Sequence, residues 1–261
     1  MQQQSRIRLL IVALFIVPGV ILFSSFDSRP VTRPVHSILP DSGIAADSTR
    51  EPAVSDYSNS YGSFSENKRL VYDSLNLESL GLSRKVFDYG LRGMEKLRKK
   101  GLIKSNILSI VDMSKASDEK RLFVIDLDNF QLLFNTLVAH GCNSGKKQAQ
   151  YFSNQPRSRK TSLGFYVTGD TYEGSNGYSL KLLGMENGIN NNAYKRAIVV
   201  HGADYVNEDY VQQQGYIGRS YGCPAVPANI SDDIIDHIKE GTCLFIYSPQ
   251  NYYLRHSSFL R

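Results

Sequence analysis

Cysteine is scarce in this chain: 261 residues hold three, Cys142, Cys223 and Cys243, and no Cys-x-x-Cys pair occurs. So low a count argues against an exported disulfide scaffold, and an odd one leaves at least one thiol unpaired within the chain. Without Cys-x-x-Cys, thioredoxin-like redox chemistry and a zinc knuckle lose their main support. Cys142 and Cys243 border apolar runs and read as core or strand-end residues in preference to a mutual disulfide. A stripe of positive charge is also missing; the formal net charge is only +5 and the basic residues are scattered. The cluster Lys96-Leu97-Arg98-Lys99-Lys100 reads as a helix end, where cations complement the helix dipole. Nucleic-acid binding is therefore not expected. Neither is a metal or any other cofactor: His201-x-x-Asp204 offers two ligands, and no third stands at a persuasive spacing.

No acidic residue precedes Asp27, and Arg6 and Arg8 stand before a largely apolar run over residues 9–23. This is an export signal. No clear small-x-small cleavage site follows and no lipobox cysteine is present, so residues 1–26 read as an uncleaved anchor in the cytoplasmic membrane in preference to a cleaved signal peptide. The positive end then stays inside, and the remainder lies in the cell envelope or periplasm. Residues 27–67 are rich in Ser, Asp and Pro, too poor in apolar side chains to repay ordering, and read as a disordered tether.

With 41% apolar residues, the remainder can bury one substantial core. Residues 68–119 are helical in character. Ser83 is placed to cap a helix whose apolar positions Phe87, Leu91, Met94 and Leu97 recur every three or four residues, and Gly101 to end it. Residues 120–250 form the expected catalytic domain. Two β-rich runs, 122–127 and 130–138, flank Asp128-Asn129 and predict a hairpin, and further strands are expected at 164–168, 178–182, 197–200 and 243–247. One late helix interrupts them, with Ser231 as cap, Ile234, Ile235 and Ile238 inward and Gly241 at its end. Residues 251–261 read as a tail. The class is mainly β, a sandwich or barrel with a helical N-terminal segment and one late helix.

The chemistry concentrates in Gly218-Arg219-Ser220-Tyr221-Gly222-Cys223-Pro224 and in His201, which ends the run Ala197-Ile198-Val199-Val200. A thiol becomes a useful nucleophile when a partner takes its proton or lowers its pKa, and imidazole is the usual partner. Cys223 stands between glycine and proline, hence in a turn, and a tight Tyr-Gly-Cys turn aims backbone N–H groups at one point, as a developing oxyanion requires. The pair reads as a cysteine acyl-transfer site with His201 as base. Asp204, Ser220 or a backbone carbonyl is placed to orient the imidazole. Arg219 is a candidate to hold a substrate carboxylate or to form a surface salt bridge, and His140 a candidate to line the cleft or to stand in a turn. Tyr205, Tyr210 and Tyr216 lie in a connection long enough for a lid.

His201-Gly202, a spacer, and Ser220-Tyr221-Gly222-Cys223 resemble the signature of the L,D-transpeptidase (YkuD-type) family, and residues 161–166 resemble its Thr-Pro-x-Gly-x-Phe stretch. Tyr221 departs from the family pattern, which has a second histidine there, and Cys223-Pro224-Ala225-Val226-Pro227 replaces the polar or basic residues that commonly follow the cysteine. The chain is most similar to the divergent branch with Gly-Arg-Ser-x-Gly-Cys-Pro-Ala-Val-Pro. The resemblance implies the mainly β L,D-transpeptidase catalytic domain, with Tyr221, Gly222 and Cys223 supplying oxyanion-hole N–H groups. It implies a murein L,D-transpeptidase acting on peptidoglycan stem peptides: Cys223 attacks a tetrapeptide stem, D-alanine leaves, and an amine resolves the thioester into a 3-3 crosslink or another attachment. With water as acceptor the same site is an L,D-carboxypeptidase. A non-catalytic wall-binding domain is a further alternative, although binding alone needs neither His201 nor Cys223. A papain-type amidase fits less well, because His237 falls in the expected late helix and His256 near the carboxyl end.

Overall fold

The computed structural model describes residues 64–261. The anchor expected at 1–26, and the tether up to residue 63, lie outside the described residues. Among the described residues, no helix is long and apolar enough to cross a membrane.

Three helices lead into the domain: α1 (Phe64–Lys68), α2 (Leu70–Ser74) and α3 (Arg84–Lys99). Ser83 caps α3 as its sequence position suggests, in extended backbone with its Oγ accepting from the Val86 N–H at 3.4 Å. Lys96, Arg98 and Lys99 occupy the last turn, and the stripe Phe87, Leu91, Met94 and Leu97 is completely buried. Gly93 sets how closely α3 approaches the sheet, since a Cβ there would lie 2.1 Å from the Phe165 ring. That ring stacks in turn on Phe245, with centroids 4.2 Å apart.

Eight strands form one sheet: β1 (Ile107–Asp112), β2 (Leu122–Asp126), β3 (Gln131–Thr136), β4 (Gly164–Gly174), β5 (Gly177–Gly184), β6 (Val199–Ala203), β7 (Ala225–Pro227) and β8 (Cys243–Tyr247). Their order is β3-β2-β1-β8-β4-β5-β6-β7, antiparallel except for β1–β8 and β6–β7. The β2–β3 hairpin forms as expected. Its turn is held by Asp126, whose Oδ1 accepts from the N–H groups of Asp128 and Asn129 at 2.9 and 3.0 Å. β1 is a correction, because it lies in the segment expected to be helical. It runs between β2 and β8 and is almost wholly buried, so it lacks the polar alternation that marks a half-exposed strand.

The two ends of the strand order are joined just past β3. The Ala139 N–H donates to Ala225 O in β7 at 2.8 Å, and Gly141 forms a parallel bridge with Ser220. Leu137, Ala139, Ala203, Val206, Ile217 and Ala225 fill this seam with apolar side chains. The sheet is thereby a nearly closed barrel, and the catalytic-type turn before β7 is welded to its closing seam.

Helix α4 (Glu208–Gln214) follows β6, capped by Asn207, and buries none of its side chains. In α5 (Ser231–Ile238), Ile234, Ile235 and Ile238 point inward as expected, but Ser231 is the first helical residue and not the cap; its Oγ donates to Ala228 O at 3.0 Å. Residues 251–261 are not a loose tail. They carry α6 (Asn251–His256) and bury Tyr253, Phe259 and Leu260. The buried Glu186 carboxylate fastens this end, accepting from the Phe165 N–H at 2.9 Å, Tyr253 Oη at 3.1 Å and Ser257 Oγ.

Candidate active site

Cys223 and His201 are brought together by the β6–β7 pairing. That pairing is parallel and sets His201 opposite Ala225. Cys223 stands in the turn two residues before β7, where the Val199 backbone faces its thiol, and Val199 shares a face of β6 with His201. The side chains of Cys223 and His201 make no hydrogen bond to each other; the Cys223 thiol faces Ala197 O at 3.8 Å. Ala197 itself has a positive φ of 52°.

The His201 ring is 95% buried, and its Nδ1 lies 2.8 Å from Gly202 O. A carbonyl only accepts, so Nδ1 carries the proton and Nε2 keeps its lone pair. Gly202 is needed at this position, because a Cβ there would stand 2.5 Å from Ser231 Oγ. Burial lowers the His201 pKa, only partly offset by the Gly202 carbonyl. Burial also raises the Cys223 pKa, opposed by the Val199 backbone and the charge of Arg196. Both shifts favour a neutral thiol beside a neutral imidazole over a thiolate–imidazolium pair.

Ser220 organises the turn. Its Oγ donates to Cys223 O at 2.6 Å and accepts from the Gly222 N–H at 3.0 Å, while its backbone bonds to His140 O and to the Cys142 N–H. Gly222 adopts φ 126°, a conformation open to glycine, with Lys160 O and Ile198 Cδ1 about 3 Å from where a Cβ would be. Because the Gly222 N–H is spent on Ser220, it is not free for an oxyanion. The N–H groups of Tyr221 and Cys223 have no partner among the described residues.

Two cavities adjoin the site, one at His201 and one at Tyr221, and Cys223 lines neither. One, of about 460 Å³, is lined by His201, Asp204, Tyr205, Tyr178, Ser231 and Asp232 and is acidic. The other, of about 790 Å³, is lined by Arg157, Arg159, Lys195, Arg196 and Tyr221 with no acidic residue. The arrangement provides a shielded base, a thiol on the adjoining turn and free N–H donors at that turn. Those are the parts of an acyl-transfer centre.

A family profile described as the L,D-transpeptidase catalytic domain matches residues 78–247, more than half of the chain. The chain belongs to the L,D-transpeptidase catalytic-domain family. Its members are cell-wall enzymes of peptidoglycan. No curated protein sequence matches the chain. Among solved structures it is similar to an L,D-transpeptidase from Mycobacterium smegmatis, with 13% identity, 55% of this chain and 59% of that one covered and a TM-score of 0.34. It is also similar to a mutant of the Enterococcus faecium L,D-transpeptidase, with 13% identity, coverage of 56% and 50% and a TM-score of 0.34. A third is the helical cell shape determining protein Pgp2 of Campylobacter jejuni, with 12% identity, coverage of 65% and 58% and a TM-score of 0.37. The chain spans about three fifths or less of the length of these structures.

Within this L,D-transpeptidase domain, three sequence expectations need correcting. Asp204 does not orient His201; its side chain is exposed toward the acidic cavity and the Gly202 carbonyl does the orienting. Arg219 forms no salt bridge with the described residues; its Nη1 donates to Cys142 O and Gly145 O at 3.1 and 3.0 Å and so braces the seam. His140 is fully buried and lines no cleft: its Nδ1 accepts from Arg121 Nη2 at 2.8 Å and its Nε2 faces Gly145 O at 3.3 Å. Burial first and the Arg121 charge second push its pKa down to about 4. Of the tyrosines read as a lid, Tyr205 lines the acidic cavity and Tyr210 lies exposed on α4. The residues missed were Arg196 and the run Arg157-Ser158-Arg159-Lys160. That run is a second concentration of basic residues, close before the Thr161–Tyr166 stretch, and the clustering itself was a usable signal.

Proposed function

We propose that the protein is a cysteine-dependent murein L,D-transpeptidase, exported and acting on peptidoglycan tetrapeptide stems. The observation that supports this reading is the pairing of β6 with β7, which brings the turn of Cys223 against the strand of a histidine whose free nitrogen is Nε2.

In the first step Cys223 Sγ attacks the scissile carbonyl carbon while its proton passes to His201 Nε2. The carbonyl π pair moves to oxygen, held by the Tyr221 and Cys223 N–H groups. The pair returns, the C–N bond to D-alanine breaks, and the proton on Nε2 goes to the departing amine. In the second step a neutral amine attacks the thioester carbonyl and gives a proton to Nε2; the C–S bond breaks with its electron pair on Cys223 Sγ, which takes that proton back, and the acyl group is left on nitrogen as a 3-3 crosslink or another attachment. Asp204 and Asp232 beside His201 favour an acceptor that arrives as an ammonium ion over water, which supports transfer above L,D-carboxypeptidase hydrolysis.

The test is intact-protein mass of the full chain after incubation with purified disaccharide-tetrapeptide, beside Cys223→Ala. A Cys223-dependent acyl adduct together with D-alanine release and a crosslinked dimer is expected. Released D-alanine with a free tripeptide and no dimer would turn the reading to the carboxypeptidase. Absence of any adduct or product from folded, reduced protein would sink it.

A further inference from the structure

The basic cavity has no counter-charge. Arg157, Arg159 and Lys195 make no ion pair or side-chain hydrogen bond with the described residues, and no Asp or Glu lines the space they surround. Arg196 is fixed differently: its guanidinium donates to Ser153 O at 2.8 Å and to Lys160 O at 2.7 Å, pinning the 153–160 loop against the strand that leads to His201. Arg157 and Arg159 both stand at positive φ, 58° and 54°, so the loop between them is bent at two non-glycine positions. Arg159 is further held by stacking on Tyr221, its Cζ 4.5 Å from the ring centroid. Tyr221 is two residues from the nucleophile, so the cations reach directly to the reacting turn.

The two cavities carry opposite charges, and that decides what each is for. His201 must give its proton to the departing amine and later take one from the incoming amine, so both amines are handled where His201 faces the acidic cavity. The basic cavity, which meets the turn of the nucleophile at Tyr221, is left for the acyl half of the donor, which stays on the enzyme as thioester. That half of a peptidoglycan stem contains a γ-linked D-glutamate, whose α-carboxylate is free unless it has been amidated.

We infer that the cavity walled by Arg157, Arg159, Lys195, Arg196 and Tyr221 is a carboxylate subsite for the acyl half of the donor, selecting stems with free D-glutamate over stems with D-isoglutamine. This rests on the acyl-transfer reading for the identity of the peptide, while the anion preference itself rests on the cavity alone. Arg159, with its plane set by Tyr221, is the residue best arranged for two parallel N–H donations to a carboxylate. Arg196 is a positioning residue, since its donors are spent on the loop.

Two disaccharide-tetrapeptides that differ only in that carboxylate or carboxamide serve as probes. Calorimetric binding to full-length Cys223→Ala reads the subsite without chemistry, and the acylation rate of the wild type reads it with chemistry. The carboxylate peptide is expected to bind about tenfold or more tightly at low salt, with the advantage shrinking as ionic strength rises. Arg159→Gln and Lys195→Gln should each bring its affinity down toward that of the amide peptide. Lys99→Gln, on α3 and away from the cavity, should keep the preference. Thermal midpoints close to wild type exclude misfolding, because Arg159 and Lys195 are exposed. Equal binding of the two peptides, or a preference for the amide, overturns the subsite even if acylation proceeds. A carboxylate preference in binding without any acyl adduct keeps the subsite and sinks the transpeptidase reading. No binding by either peptide overturns the subsite.

Discussion

Replacing Ser220 by alanine removes one oxygen and two hydrogen bonds from the turn before β7. The Gly222 N–H loses its acceptor at 3.0 Å in a buried position, and the Cys223 carbonyl loses its donor at 2.6 Å. A buried donor left unmade costs about 1–3 kcal/mol and an ordinary lost bond about 1 kcal/mol, so the variant should lose about 2–4 kcal/mol of stability. The larger effect should fall on chemistry. The turn aims the Tyr221 and Cys223 N–H groups, and a loosened oxyanion site typically forfeits a factor of about 10–100 in rate. Tyr72→Phe is the matched control: it removes one buried hydrogen bond, Tyr72 Oη to Leu82 O at 2.7 Å, in the core beneath α3. It should cost about 1 kcal/mol and leave acylation unchanged. The chain has no tryptophan and 16 tyrosines, so urea unfolding is best followed by circular dichroism or tyrosine emission. Acylation is read by mass on the same samples. If Ser220→Ala acylates at the wild-type rate and loses no more stability than Tyr72→Phe, Ser220 does not hold the turn.

Three further outcomes are expected. His140 has its pKa lowered to about 4, so its contribution to stability is complete above the ordinary histidine value near 6.5 and is lost as pH falls from there toward 4. Unfolding measured across that window should show an acid slope of up to about 1.4 kcal/mol per pH unit from this group, and His140→Gln should flatten it. Gly93→Ala gains about 1 kcal/mol in helix propensity but drives a methyl into the Phe165 ring; a net loss of about 1–3 kcal/mol in chemical denaturation is expected. Asp204→Asn should leave the rate of Cys223 acylation within about twofold, because Gly202 O orients His201; a hundredfold loss would restore Asp204 as orienter.

The stripe of α3 and the inward isoleucines of α5 were legible because each helix buries one face, which stamps a period of three to four on the sequence, and the hairpin of β2 and β3 because a polar Asp-Asn turn separates two β-rich runs. β1 escaped because it is paired on both edges and buried along almost its whole length, Ser109 and Asp112 included, so Ile-Leu-Ser-Ile-Val-Asp carries no alternation. Residues 251–261 escaped for a related reason: Tyr253, Phe259 and Leu260 are anchored by Glu186 and α3, partners far away in the chain. Within the site, the local string Ser220-Tyr221-Gly222-Cys223 marked the turn. Which groups the turn uses internally was hidden, since a serine spends its hydroxyl on whatever the fold brings near. Arg219 and Arg196 make the same point. Both are arginines near the reacting pair, and only the fold shows which donors each spends on the loop it braces, both terminal nitrogens of Arg196 and Nη1 of Arg219.

A neutral thiol next to a neutral imidazole follows from where the pair is kept. His201 is nearly enclosed, and a permanent ion pair there would have to recover its desolvation from contacts that the two side chains do not make with each other. Held neutral, the pair is cheap to bury and inert until a carbonyl arrives, at which point charge appears on imidazole and oxygen together. The two cavities divide the remaining electrostatics. Asp204 and Asp232 line the first and Arg157, Arg159, Lys195 and Arg196 the second, so an ammonium group is drawn to the His201 side and an anion to the Tyr221 side. Exchanging the signs would reverse both preferences and leave the neutrality of the pair, which follows from burial, as it is.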